Sequence, residues 1–248
     1  MRKLPPFRAV SHALKSVIAY RMAGIQIGAL WVAILFVVDV AERLLFGAET
    51  NSGPAVVARL MSVFLGFVAF SSVAVNWHRF ILRDELPPLT KTFRLDRLVT
   101  RYLGNSLLTL LAGVVPLALI ATIAAVSQSV AVVVMLPAAL AAGAFITMLS
   151  LKLPAVALDR QDFTFSDALK SAEGNFWRIA VVFWLNAVII FLPAVALTLI
   201  VDQLRQSSPA LAVATGLILS IPLSLFFTLF SANVLTSLYG FFVEKRDF

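Results

Sequence analysis

The chain has 248 residues, of which 60% are hydrophobic and only 13% are charged. A soluble domain has about 25% charged residues, so this composition leaves too little polar surface to cover a water-soluble globule. The net charge is +7, but the cations fall in short clusters between apolar runs, which does not indicate nucleic-acid binding. The absence of cysteine excludes disulfides, thiolate metal sites and cysteine nucleophiles.

Six apolar stretches are each long enough to cross a hydrocarbon layer, which requires about 20 residues. We predict these spans, within a few residues, at positions 22–45, 54–77, 102–126, 130–158, 176–201 and 209–243. The third and fourth are separated only by Ser127, Gln128 and Ser129, which predicts a tight antiparallel hairpin. The predicted fold class is all-α: one polytopic membrane domain, residues 1–248, with six transmembrane helices.

Lysine and arginine are distributed unequally between the two sides of these spans. Seventeen of the 20 lie in the N-terminal segment, between spans two and three, between spans four and five, and after span six. The three on the other side are Arg43, Arg59 and Arg205. Because cytoplasmic segments are enriched in Lys and Arg, this asymmetry predicts a multi-pass protein with both termini in the cytoplasm.

The sequence also predicts an internal repeat. Spans two, four and six share one pattern, in which a Leu is followed after four residues by a Phe and after thirteen more by an acid. Its three copies are Leu65–Phe70–Asp84, Leu140–Phe145–Asp159 and Leu225–Phe230–Glu244. The segment SHALKS at 11–16 matches SDALKS at 166–171, where Thr164 and Asp167 fit a capping box. We therefore expect three units, at about 7–86, 87–163 and 164–248, each with a short cytoplasmic interfacial helix and a membrane hairpin. The apolar face of that helix packs on the protein's own helix ends or contacts lipid.

Two groups of residues at the predicted cytoplasmic border are candidate membrane-surface contacts. Trp77, His78 and Trp177 are predicted interfacial anchors, because amphipathic rings favour the headgroup level. A sharper hypothesis is a basic ring that binds anionic headgroups, which consists of Arg79, Arg83, Arg160, Lys170 and Arg178.

An ionisable cluster is predicted near the outer surface, at the end of the first span and the start of the second. Asp39 and Arg43 are four residues apart on one helical face, and Glu42 and Arg59 complete the cluster. Two interpretations stay open. The cluster is a structural group of ion pairs, or it is a proton or ion site, since charges inside a membrane face the bundle interior.

Several sequence segments resemble a known group of bacterial proteins. They are HALKS and DALKS before a span, AVNWHRFILRDE at 74–85, LPAVALDRQDF at 153–163 and GNFWR at 174–178. In these the chain resembles the six-span membrane domain of some glycerophosphoryl diester phosphodiesterases and its stand-alone, uncharacterised relatives. The resemblance covers nearly the whole chain and implies a protein of the bacterial inner membrane, with a membrane fold but without the separate soluble catalytic barrel. It implies no catalytic residues for the membrane part.

No dense constellation of acid, base and nucleophile stands out, so we predict no catalytic residues, no metal site and no cofactor. The expected function is that of a non-catalytic membrane protein that organises lipids, including anionic ones, or partner proteins through its basic face. The oligomeric state is left open. A small transporter or channel subunit is the alternative, and a membrane enzyme acting on lipid headgroups is the third possibility.

Overall fold

The computed structural model describes residues 2–47, 52–124 and 128–248. The α-helices within these residues are α1 (Pro6–Ala19), α2 (Arg21–Phe46), α3 (Gly53–Arg83), α4 (Arg97–Ala124), α5 (Gln128–Ser150), α6 (Lys152–Ala157), α7 (Phe165–Ser171), α8 (Phe176–Ser207) and α9 (Pro209–Phe242). A short 3-10 turn lies at Leu89–Lys91. The predicted connections at Glu49 and Ser127 lie outside the described residues. The all-α fold class is confirmed.

Six helical segments are long and apolar enough to cross a membrane: α2, α3, α4, α5 continued by α6, α8 and α9. The six predicted spans are therefore confirmed, and the protein is a multi-pass membrane protein. The fourth span is not one continuous helix as predicted. It breaks at Leu151 because Pro154 has no N–H to donate to the carbonyl of Ser150, and Leu151 N–H instead bonds to Met148 O at 3.2 Å.

The spans form three antiparallel hairpins, which are α2 with α3, α4 with α5 and α8 with α9. These hairpins close into a ring. The first helix of each hairpin packs on the second helix of the preceding hairpin: α2 on α9, α4 on α3 and α8 on α5. At the end of the bundle that carries residues 2–20 and 243–248, α3, α6 and α9 also touch one another. We call this the terminal end and the opposite one, where the hairpins turn, the hairpin end.

The contact between α2 and α9 depends on two small residues spaced four apart. A Cβ atom at Gly24 would lie 2.5 Å from Leu229 Cδ1, and one at Gly28 would lie 2.3 Å from Leu225 Cδ1. Both distances are shorter than real Cβ contacts. Glycine therefore lets the two helices approach closely, as small residues at this spacing do in membrane helix pairs.

Burial is concentrated at the terminal end of the spans. In α2 the buried residues lie between Gly24 and Trp31, in α3 most lie between Ala69 and Leu82, and in α9 most lie between Leu229 and Phe242. The hairpin halves expose large apolar side chains, such as Leu60 and Phe64 of α3. The protein core is thus packed at the terminal end, and the hairpin halves present apolar surface suited to lipid.

The helices α3, α6 and α9 are each followed by a residue in the left-handed backbone conformation. These are Asp84 (φ 57°), Asp159 (φ 58°) and Lys245 (φ 61°). The first two are the acids of the predicted repeat, and the third lies one residue after Glu244. Beyond them Glu85 N–H bonds to Arg79 O, and Arg246 N–H bonds to Gly240 O, each six residues back. The sequence repeat stays a prediction.

The interfacial elements of the three predicted units differ. The first has the 14-residue helix α1, the second has only the 3-10 turn at Leu89–Lys91, and the third has the 7-residue helix α7. The capping box at the start of α7 is confirmed. Asp167 N–H donates to Thr164 Oγ1 at 3.2 Å, and Thr164 N–H donates to Asp167 Oδ2 at 2.8 Å.

Candidate functional site

Arginine side chains cover the carbonyl groups where α6 ends. Arg79 donates to Ala157 O at 3.1 Å, and Arg83 donates to Leu158 O at 2.9 Å. The last carbonyls of a helix have no partner within the helix and carry partial negative charge. The two guanidinium groups of α3 therefore satisfy the end of a helix in another hairpin.

Arginines also join the two other helix ends at this side. Arg246 donates to Leu82 O of α3 at 3.0 Å, and Arg2 donates to Phe241 O of α9 at 3.4 Å. Arg160, which follows α6, donates to the Tyr239 hydroxyl of α9 at 3.0 Å. Each of the ends of α3, α6 and α9 thus accepts a hydrogen bond from an arginine that lies outside that helix.

These contacts change the interpretation of the five predicted headgroup residues. Arg79, Arg83 and Arg160 meet around the three helix ends, and Arg79 also pairs with Glu85 at 2.5 Å. Arg178 lies elsewhere and donates to Leu4 O at 2.8 Å. Lys170 is exposed in the last turn of α7. Four of the five therefore hold the protein's own backbone or side chains, and headgroup binding by this set stays a prediction.

Two of the three predicted interfacial anchors are instead core residues. Trp77 is 0% exposed, and its indole N–H donates to Asn233 Oδ1 at 3.1 Å. His78 is also fully buried. The prediction is corrected because α3 continues to Arg83, which places both residues within the packed terminal half of the helix. Trp177 is 69% exposed, so its side chain is free to lie at the membrane surface.

A chain of buried hydrogen bonds runs through His78 and joins α9, α3 and α4. The Thr236 hydroxyl donates to Ala232 O at 2.8 Å, and its oxygen lies 2.7 Å from His78 Nδ1. His78 Nε2 lies 3.0 Å from the Tyr102 hydroxyl, so each ring nitrogen of His78 has a hydrogen-bond partner. Sequence analysis missed Tyr102 and Thr236, because their pairing with His78 depends on how three helices rotate against one another.

The helix α1 lies against α8 and α9 and has two distinct faces. Ala9, Val10, Ala13 and Val17 are buried. Phe7 (71% exposed) and Ile18 (55% exposed) are eleven residues apart and so share one exposed stripe at the side of this buried face. The exposed cations Arg8 and Lys15, seven residues apart, form the neighbouring stripe. An apolar stripe beside cations on a protein-anchored helix is typical of a helix that lies in a membrane interface.

A cavity of about 400 Å³ lies beside α1, between the ends of α3 and α9 and the segment that follows α9. Its wall includes His12, Tyr20, Phe80, Asp84 and Phe248. His12 Nδ1 lies 3.2 Å from Ser237 Oγ. Partial burial lowers the pKa of His12 from its ordinary value, which favours the neutral ring at neutral pH.

At the hairpin end the structure brings together all four residues of the predicted ionisable cluster. Arg43 pairs with Asp39 at 2.9 Å, and Arg59 pairs with Glu42 at 3.4 Å. Glu42 also accepts from the Ser62 hydroxyl at 2.8 Å. The cluster lines a cavity of about 300 Å³. Each acid therefore has a basic partner, an arrangement that links α2 to α3.

Among residues 2–47, 52–124 and 128–248, no group of three or more His, Asp or Glu side chains is placed to hold a metal ion. No protein-family model, curated protein or solved structure matches this chain. The resemblance to the membrane domain of glycerophosphoryl diester phosphodiesterases therefore stays a prediction.

Proposed function

We propose that this protein is a non-catalytic membrane protein that holds anionic lipids against its terminal end, with α1 as the contact surface. The observation that carries the proposal is the charge of this region. Residues 2–38 contain five cations, namely Arg2, Lys3, Arg8, Lys15 and Arg21, and no acid, since Asp39 is the first acid of the chain. Arg2 pairs with Asp247, whereas Arg8, Lys15 and Arg21 are exposed on or beside α1.

The shape of α1 supports lipid rather than a soluble anion as the ligand. Phe7, Ile18 and Met22 are exposed beside these cations, and burying such side chains in the acyl region favours membrane contact. Each cation near an anionic leaflet contributes about 1 kcal/mol. In this proposal the terminal end faces the cytoplasm of a bacterial cell, in agreement with the excess of cations on that side.

The proposal moves the headgroup contact away from the predicted ring of five cations. Arg79, Arg83 and Arg160 donate to atoms of the protein, so a headgroup would compete with those bonds. Arg21 also donates to Ile18 O in the last turn of α1 at 3.3 Å, whereas Arg8 and Lys15 make no hydrogen bond or ion pair with the residues that the structure describes. In this proposal the lipid headgroups therefore contact α1 rather than the ends of α3, α6 and α9.

The test replaces Arg8, Lys15 and Arg21 together by Gln and measures the anionic lipid retained after mild extraction by native mass spectrometry. The matched control replaces Lys91, Arg97 and Lys170, which are three exposed cations elsewhere at the terminal end. We expect the α1 variant to lose most retained anionic lipid and the control to keep it. Orientation is checked in both variants, because Lys and Arg also determine topology. Equal retention by the α1 variant and the wild type, with orientation unchanged, would refute the proposal.

A further inference from the structure

The cavity beside α1 has walls of a different character from the α1 surface. His12 and Ser16 are the α1 residues that line it, together with Tyr20 just beyond the helix. Arg8 and Lys15, the two cations of α1, are not among the described residues that line the cavity. The α1 wall of the cavity is therefore uncharged when His12 is neutral.

The charged residues of the cavity are two carboxylates and one guanidinium, Asp84, Asp247 and Arg246. Asp247 pairs with Arg2. Arg246 pairs with Glu244 at 2.7 Å and donates to Leu82 O at 3.0 Å. The Asp84 carboxylate makes no hydrogen bond or ion pair with any of the residues that the structure describes. Asp84 is thus the negative charge that the cavity offers to a ligand.

Aromatic rings surround the rest of the cavity. Tyr20 and Phe80 meet edge to face with centroids 5.3 Å apart, and Phe241 and Phe248 stack at 5.2 Å. The Arg2 guanidinium already lies 4.1 Å from the centroid of Phe241, so this wall binds a cation within the protein itself. The face of an aromatic ring attracts cations, and organic ammonium groups are bound between such rings.

We propose that this cavity binds the ammonium group of an amine, with Asp84 as its counter-ion and the rings of Tyr20 and Phe80 beside its carbon atoms. The amine is the headgroup of an amine-bearing phospholipid or a small soluble amine, which share this chemistry. The proposal uses other side chains and the opposite ligand charge from the lipid contact at α1. Either can therefore fail without the other.

The backbone at two positions allows clean test variants. Asp84 closes α3 in the left-handed conformation, which Asn also adopts readily, so Asp84→Asn removes the charge and keeps the turn. Gly240 lines the cavity. Of the described atoms, Arg246 Cδ alone would lie within 4 Å of a Cβ atom at Gly240, at 3.7 Å. Gly240→Leu therefore places a side chain in the cavity beside Arg246 without removing a charged residue. Glu173→Gln, at an exposed acid outside the cavity, is the matched control.

The experiment has two arms on the full-length protein. In the first, protein in nanodiscs of equal phosphatidylethanolamine and phosphatidylglycerol is extracted, and the retained lipids are measured by native mass spectrometry. In the second, saturation-transfer NMR measures binding of free ethanolamine to the delipidated protein in detergent. Enrichment in the first arm identifies a lipid headgroup, and binding in the second alone identifies a soluble amine.

We expect amine binding in at least one arm for the wild type and Glu173→Gln. Asp84→Asn should weaken it roughly fivefold, the upper end for an exposed ion pair, and Gly240→Leu should abolish it. If Asp84→Asn does not fold, the Gly240→Leu result decides. Absence of amine binding in both arms for the wild type overturns the proposal. Undiminished binding by the folded Asp84→Asn or Gly240→Leu variant overturns it as well.

Discussion

The indole N–H of Trp77 donates to Asn233 Oδ1 at 3.1 Å, and the amide of Asn233 donates in turn to Ala13 O at 2.8 Å. One fully buried amide therefore links α3, α9 and α1. Replacing Asn233 by Ala leaves the indole N–H of Trp77 buried without a partner. Such a loss costs about 2 kcal/mol, since the donor keeps its desolvation penalty.

We expect Asn233→Ala to lower the thermal unfolding temperature in detergent by several degrees. Asn105→Ala is the control, because Asn105 bonds only within its own helix, to Arg101 O at 2.7 Å, among the described residues. That variant should change the unfolding temperature little. Equal effects of the two substitutions would show that the link through Asn233 contributes no special stability.

The hydrogen bonds around His78 predict its tautomer. Because the Thr236 hydroxyl is committed as a donor to Ala232 O, Nδ1 of His78 must carry the proton and Nε2 must accept from Tyr102. Nitrogen-15 NMR of histidine-labelled protein should therefore show the Nδ1–H form for His78. A spectrum of the Nε2–H form would mean that the buried chain runs in the opposite direction.

The arginines that donate to helix-end carbonyls should contribute more stability than a cation at the same side whose side chain has no hydrogen-bond partner among the described residues. Arg83→Gln removes the bond to Leu158 O, and Arg246→Gln removes the bond to Leu82 O. Each should cost about 1 kcal/mol, the upper end for an exposed cation at the carbonyl end of a helix. Lys91→Gln, at an exposed position, should cost less than about 0.5 kcal/mol. Chemical unfolding that ranks Lys91→Gln with the arginine variants would contradict this role.

The six spans could be predicted from the sequence because span length and apolarity are properties of each segment alone. The packing of the helices could not. Trp77 followed by His78 and Arg79 has the composition of a membrane border, yet α3 is buried there by α9 and α4. Likewise, Arg79 and Arg83 suit phosphate groups by their chemistry, and only the position of α6 supplies them with carbonyl partners. Long-range pairing of this kind leaves no periodic signal in the sequence.

The topology that we predict rests on the excess of cations on one side of the spans. Reporter fusions at Leu89 and Gln161 should be cytoplasmic, and a fusion at Gln206 should be periplasmic. These sites lie in or near connections between helices, so that insertion disturbs little of the core. A periplasmic signal from Leu89 would mean that the orientation is the reverse of the predicted one. The helix α1 would then not face the anionic cytoplasmic leaflet.

The proposed contact of α1 with an anionic membrane surface is tested most directly by a spin label. The chain has no cysteine, so Ile18→Cys carries a single label on the exposed face of α1, and Gln161→Cys provides an exposed control. In vesicles that contain phosphatidylglycerol, we predict that the label at 18 is reached by oxygen from the bilayer and protected from a water-soluble nickel complex. The label at 161 should remain accessible to nickel. Equal nickel accessibility at 18 and 161 in these vesicles would contradict the account.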